Sequence, residues 1–159
     1  MFHGPSFQGM REVLVDSDDQ LIMECLLDEP PTSYSEYATA IYDPVLADVA
    51  VQIMGVWVRH HVGVSCLPAA VTRVDNYRAL DFGAPFIVIA ENFRQPAPNT
   101  VLADITVCDT TGEVHWVADT IRSIGNAALN EVFAARATAS STARNDLVTA
   151  TQTGRPDAK

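Results

Sequence analysis

The stretch Asp43-Pro44-Val45-Leu46-Ala47-Asp48-Val49-Ala50-Val51-Gln52-Ile53-Met54-Gly55-Val56-Trp57 decides how the rest of the chain is read. Asp43 suits a helix N-cap, because its carboxylate can accept from the unpaired N–H groups of a first turn. Pro44 fits the first helical position, where no backbone donor is lost. At helical spacing, Val45, Leu46, Val49, Ala50, Ile53, Met54 and Trp57 form a broad apolar arc. Ala47, Val51, Gly55 and Val56 fill most of the remaining face. A helix that is apolar nearly all round is expected to be buried. It ends near Arg59-His60-His61, cationic side chains suited to the negative end of the dipole, with Gly63 as a terminator.

Only Asp48 and Gln52 interrupt this helix. Spaced i, i+4, they share a face about 40° apart. A carboxylate in a buried helix is costly unless it is paired, hydrogen-bonded or protonated. Burial raises a carboxyl pKa, so Asp48 is a candidate to hold a proton near neutral pH, as a general acid must. Gln52 can hydrogen-bond the same group or the same substrate oxygen. Periodicity alone leaves a second reading open: an Asp that serves a loop or pairs with one of the few arginines.

Working outward, Arg11 to Val15 and Gln20 to Leu27 read as a hairpin around the polar turn Asp16-Ser17-Asp18-Asp19. Glu29-Pro30-Pro31-Thr32-Ser33 is a loop, since two prolines cannot join a ladder. After the helix come strand-like segments at Cys66 to Tyr77, Phe86 to Phe93, Val101 to Cys108 and Val114 to Ile124. Gln95-Pro96-Ala97-Pro98-Asn99 connects the second to the third, and Asp109-Thr110-Thr111-Gly112 turns the last hairpin. A hairpin, one long helix and then a run of antiparallel strands imply an α+β fold. The layout is that of a hot-dog fold, an antiparallel β-sheet wrapped around one long central helix. The expected organisation is a hot-dog domain over residues 1–126, a short terminal helix or linker over 127–139, and a disordered tail over 140–159, where the sequence is small, polar and aperiodic.

Composition narrows the function. The chain has 159 residues, which suits one domain, and 48% are hydrophobic. A net charge of -10 with scattered basic residues argues against a nucleic-acid-binding surface and against broad attraction to anionic membranes. No apolar run reaches the length of a membrane span, and Met1 to Met10 lacks the layout of a signal peptide. Cys25, Cys66 and Cys108 form no zinc-like spacing and read as buried free thiols, which suits a reducing cytoplasm. No phosphate loop, dinucleotide fingerprint or metal cluster is visible, so no cofactor or metal is expected on the chain.

Three segments in order carry a resemblance. They are Phe2-His3-Gly4-Pro5-Ser6-Phe7-Gln8-Gly9, then Asp43-Pro44-Val45-Leu46-Ala47-Asp48-Val49-Ala50-Val51-Gln52, then Cys66-Leu67-Pro68-Ala69-Ala70-Val71 followed by Arg73 and Tyr77. They resemble, over roughly Phe2 to Ile124, the second (C-terminal) hot-dog half of polyketide synthase dehydratase domains. The first matches an aromatic-x-Gly-Pro-x-Phe motif. The second matches a Pro-x-x-Leu-Asp-x-x-x-Gln/His helix, with Ala47 inserted between Leu46 and Asp48. The third matches a Leu-Pro strand that lines the acyl pocket.

The resemblance implies dehydration of a 3-hydroxyacyl thioester to a 2-enoyl thioester. A His of the first half removes the α-proton, the Asp protonates the departing hydroxyl, and the Gln helps orient it. Asp48 and Gln52 are then the catalytic candidates, and Gly4, Pro5, Phe7, Leu67 and Pro68 the substrate-binding ones. The acyl group would arrive on the phosphopantetheine of an acyl carrier protein, with Arg73, Arg78 and Arg94 as candidate docking cations or plain solvated charges.

The chain departs from the family in lacking the His-x-x-x-Gly-x-x-x-x-Pro motif. His3 reads as positional, His60 and His61 as helix-end residues, and His115, alternating with Val114 and Trp116, as a surface residue. A partner hot-dog is expected, either a His-bearing half or a second copy. The expected alternatives are a piece of a larger synthase, a separate subunit that pairs with a His-bearing hot-dog, or a homodimer that has lost or changed the activity. Two other functions compete: a hot-dog thioesterase, which would release a free acid, and a non-catalytic hot-dog that binds an acyl chain or a synthase partner.

Overall fold

The computed structural model describes residues 7–28, 43–132 and 134. Among the described residues, seven strands form one antiparallel sheet around a single long helix. The strands are β1 (Met10–Asp16), β2 (Gln20–Leu26), β3 (Ser65–Ala70), β4 (Arg73–Asn76), β5 (Pro85–Ala97), β6 (Thr100–Asp109) and β7 (Val114–Asn126). The helix α1 (Pro44–Trp57) lies between β2 and β3 in sequence and runs into a π-helical turn, Val58–Val62. The sheet order is β1-β2-β5-β6-β7-β3, with β4 also paired to β7.

α1 has the boundaries that its sequence predicts. Asp43 Oδ1 accepts from the N–H groups of Val45 (2.9 Å) and Leu46 (3.0 Å), and Gly63 closes the π-helical turn in a left-handed conformation. One face of α1 buries Val45, Leu46, Val49, Ala50, Ile53, Met54 and Trp57. It meets alternating inward side chains: Leu21, Met23 and Cys25 of β2, Phe86, Val88 and Ala90 of β5, and Val101, Ala103, Ile105 and Val107 of β6. Full burial of each large apolar side chain contributes about 1.5–3 kcal/mol. Gly9 lets the segment before β1 cross the helix closely, since a Cβ there would lie 2.8 Å from Val49 Cγ1.

The opposite face of α1 departs from the all-round burial expected. Ala47, Asp48, Val51, Gln52, Gly55 and Val56 are only half-buried. The sheet covers one side of the helix, and this other side opens onto a cavity.

β3 and β4 replace the single strand expected over Cys66 to Tyr77. The two segments pair with successive parts of β7, β3 with Arg122–Asn126 and β4 with Trp116–Asp119. Between those parts lies Thr120, an extra residue on β7 with φ of 50°. That bulge breaks the pairing edge. Gln95 to Ala97 also belong to β5 rather than to a loop, and the turn is confined to Pro98 and Asn99.

A second bulge changes the reading of His115. Val107 faces Trp116 and Cys108 faces Val114, so His115 is the extra residue between them. Both His115 and Trp116 turn inward and are buried, which corrects the surface assignment. His115 Nδ1 contacts the carbonyl of Ala79 at 2.9 Å. All three cysteines are free and buried, as expected. No helix among the described residues is long and apolar enough to cross a membrane. Helical backbone begins at Ala127 and is described through residue 132. The remainder of the expected terminal helix, apart from residue 134, and the expected tail over 140–159 lie outside the described residues.

Candidate active site

Asp48 and Gln52 point from α1 into a cavity of about 1040 Å³ whose walls also include Met54, Cys66, Leu67 and Pro68. A second cavity, of about 570 Å³, lies along β3 and β4 and shares Asp48, Val51 and Pro68 with the first. Asp48 therefore stands where the two meet. It is a carboxylate in largely apolar walls, half-buried rather than sealed in the core.

The helix spacing and one loop atom set the polar geometry. Gln52 Nε2 donates to Asp48 Oδ2 at 2.7 Å and to the carbonyl of Phe7 at 3.0 Å. Gln52 Oε1 is buried and has no hydrogen-bond partner among the described residues. An unpaired buried acceptor is costly. It can be satisfied by a hydroxyl group entering the cavity.

Of the substrate-binding candidates, Leu67 and Pro68 line the main cavity with Asp48 and Gln52. Phe7 packs against the core and offers its carbonyl to Gln52. Gly4 and Pro5, like His3, lie outside the described residues. β3 is the edge of the sheet, and Pro68 suits it because proline is tolerated at edges. Along this edge Leu67, Val71, Val74 and Tyr77 are exposed. The candidate docking arginines each have an intrachain carboxylate: Arg73 meets Asp75 at 2.8 Å, Arg78 meets Glu113 at 2.7 Å and Arg94 meets Asp104 at 3.8 Å.

Sequence reasoning missed the other cavity-lining residues of α1 and the turn after it, Val51, Met54, Gly55, Val56, Arg59 and His60. Successive i+3 and i+4 steps from Asp48 and Gln52 would have found them.

Residues 1–131 match the family model described as polyketide synthase dehydratase N-terminal domain. The chain belongs to the polyketide synthase dehydratase family. A curated relative of this dehydratase-like chain is a component polypeptide of the polyunsaturated fatty acid synthase of Thraustochytrium sp., 36% identical over 91 residues. That alignment takes in 55% of this chain and 3% of the synthase polypeptide. The dehydratase domain of RzxB from Pseudomonas fluorescens has the same fold, with a TM-score of 0.58 at 17% identity over 76% of this chain and 42% of that one. A hypothetical thioesterase from Streptococcus pneumoniae TIGR4, solved with coenzyme A, gives a TM-score of 0.56 at 14% identity over 73% of this chain and 88% of that one. The fold of this dehydratase-family chain is a hot-dog, an antiparallel sheet with a helix packed against it.

Proposed function

We propose that this chain is the aspartate-bearing half of a 3-hydroxyacyl-thioester dehydratase, acting with a second hot-dog that brings the base. The observation that carries this is the Gln52–Asp48 hydrogen bond at 2.7 Å, set in a largely apolar cavity beside Leu67 and Pro68. Asp48 in its protonated form gives a proton to the departing 3-hydroxyl, Gln52 orients that group through its unpaired Oε1, and the base takes the α-proton. Water and a 2-enoyl thioester result. Acid and base need different environments to hold different protonation states at one pH, which suits placing them on separate halves.

Two features support an incomplete site. None of the histidines lies in the family's His-x-x-x-Gly-x-x-x-x-Pro motif. The apolar, half-open face of α1 also runs beside the exposed β3 edge, where a second hot-dog would complete both the walls and the sheet. The matching family model carries the description N-terminal domain. The Asp-x-x-x-Gln spacing is the ground for assigning the second half instead. The acyl group arrives on the phosphopantetheine arm of an acyl carrier protein.

The test is reconstitution with a His-bearing hot-dog half and a 3-hydroxyacyl carrier protein. The mixture is expected to form the enoyl thioester and to lose that activity on Asp48→Asn while the fold is retained. Efficient dehydration by this chain alone, or activity indifferent to Asp48→Asn, would sink the assignment. Release of free acid and thiol would favour the thioesterase.

A further inference from the structure

We propose that Asp16, His60 and His61 form a binding site for one divalent transition-metal ion of the zinc class. The donors come from opposite ends of the fold's first half. Asp16 closes β1, and the two histidines sit side by side on the π-helical turn after α1. Their ligand atoms all lie within 4.8 Å of one another. Asp16 Oδ1 is 2.7 Å from His61 Nε2, and Asp16 Oδ2 contacts His60 Nδ1. Two imidazoles and one carboxylate are ligands that zinc accepts, at about 2.0–2.2 Å each, with a fourth position left to water.

His61 stands between two carboxylates. Its Nε2 faces Asp16 and its Nδ1 faces Asp18 Oδ1 at 3.4 Å. With the metal at Nε2, the Nδ1–H donates to Asp18, the outer carboxylate arrangement that orients metal-bound histidines.

The scaffold under the site is fixed. Trp57 stacks with His61 at 4.6 Å and with Phe93 at 4.0 Å, and its indole N–H donates to the Ser17 carbonyl at 2.8 Å. These contacts join the β1–β2 turn to the end of α1. A second grouping, Asp109, Glu113 and His115, is less free to ligate. There Glu113 is engaged by Arg78 at 2.7 Å and Asp109 Oδ1 by the turn. The proposed ion lies about 18 Å along the helix from Asp48 by the rise per residue. It would clamp the hairpin tip to the helix end, in the wall of the cavity that His60 and Asp48 both line.

The test uses the full chain without an affinity tag. Zn²⁺ is titrated by calorimetry and Co²⁺ by visible absorption, with thermal unfolding followed in each metal. One ion per chain, visible bands of nitrogen and oxygen ligation, and a higher unfolding midpoint are expected. His60 has a largely exposed ring, so His60→Gln leaves the Trp57 stack in place and should weaken Zn²⁺ binding by at least about tenfold. Asp16→Asn should act in the same direction, with near-ultraviolet dichroism of Trp57 reporting the fold. Absence of saturable Zn²⁺ binding to the unaltered chain, or equal affinity in His60→Gln, overturns the proposal.

Discussion

Gln52 donates one amide nitrogen to both Asp48, at 2.7 Å, and the Phe7 carbonyl, at 3.0 Å. This side chain ties the candidate acid on α1 to the segment that leads into β1. Gln52→Leu keeps the volume and removes both bonds. With Asp48 protonated, a hydrogen bond to it is worth about 0.5–1.5 kcal/mol, so reconstituted dehydration should fall roughly two- to tenfold. Steady-state turnover, with circular dichroism unchanged, checks this.

Gly9 and Gly55 should respond oppositely to alanine. A Cβ at Gly9 would meet Val49 Cγ1 at 2.8 Å and Leu27 Cδ2 at 3.2 Å, so Gly9→Ala should cost about 1–3 kcal/mol in urea unfolding. At Gly55 nothing lies within 4 Å, and the residue is inside α1. Gly55→Ala should therefore stabilise by roughly 0.5–1 kcal/mol on helix propensity. It also narrows the cavity that Gly55 lines, so long acyl chains should be turned over less well than short ones.

The thiols should be inert in the native state. Burial pushes Cys25 up to about 12 and raises Cys66 and Cys108 as well. Since the thiolate is the reactive form, a disulfide reagent near pH 8 should label none of the three quickly, and all three after denaturation.

Asp109 should contribute stability that disappears in acid. The Thr111 hydroxyl and the Glu113 and Thr111 N–H groups hold its carboxyl below the ordinary value. A depressed carboxylate stabilises the fold above its unfolded pKa, and that contribution is lost as pH falls through the folded one. The difference in unfolding midpoint between the unaltered chain and Asp109→Ala should be steady near neutrality and shrink below about pH 4.

Where local rules govern, the fold is legible in the sequence. Asp43, Pro44 and the apolar period place α1, and Asp109 to Gly112 place a hairpin. Asp48 and Gln52 stand out because two polar residues in an apolar helix violate its pattern. What is not legible depends on bulges and on distance. One extra residue in β7 reverses the facing of His115, and another at Thr120 divides β3 from β4. Asp16 meets His60 and His61 across more than forty residues of chain, a juxtaposition that no local spacing encodes. The half-open face of α1 is equally hidden, because composition does not say which side a sheet leaves uncovered.

Asp104 accepts from Asn92 Nδ2 at 3.0 Å and from the Thr120 N–H at 2.8 Å, and both of those residues sit at bulges in the strands on either side of it. One carboxylate on the outer surface therefore braces the bend of three adjacent strands. Curvature and core volume are set by different residues on opposite faces of the sheet. Side chains lining the cavity beside Asp48 can change in size without altering how tightly the sheet wraps, which gives the scaffold room to vary that cavity while keeping its shape.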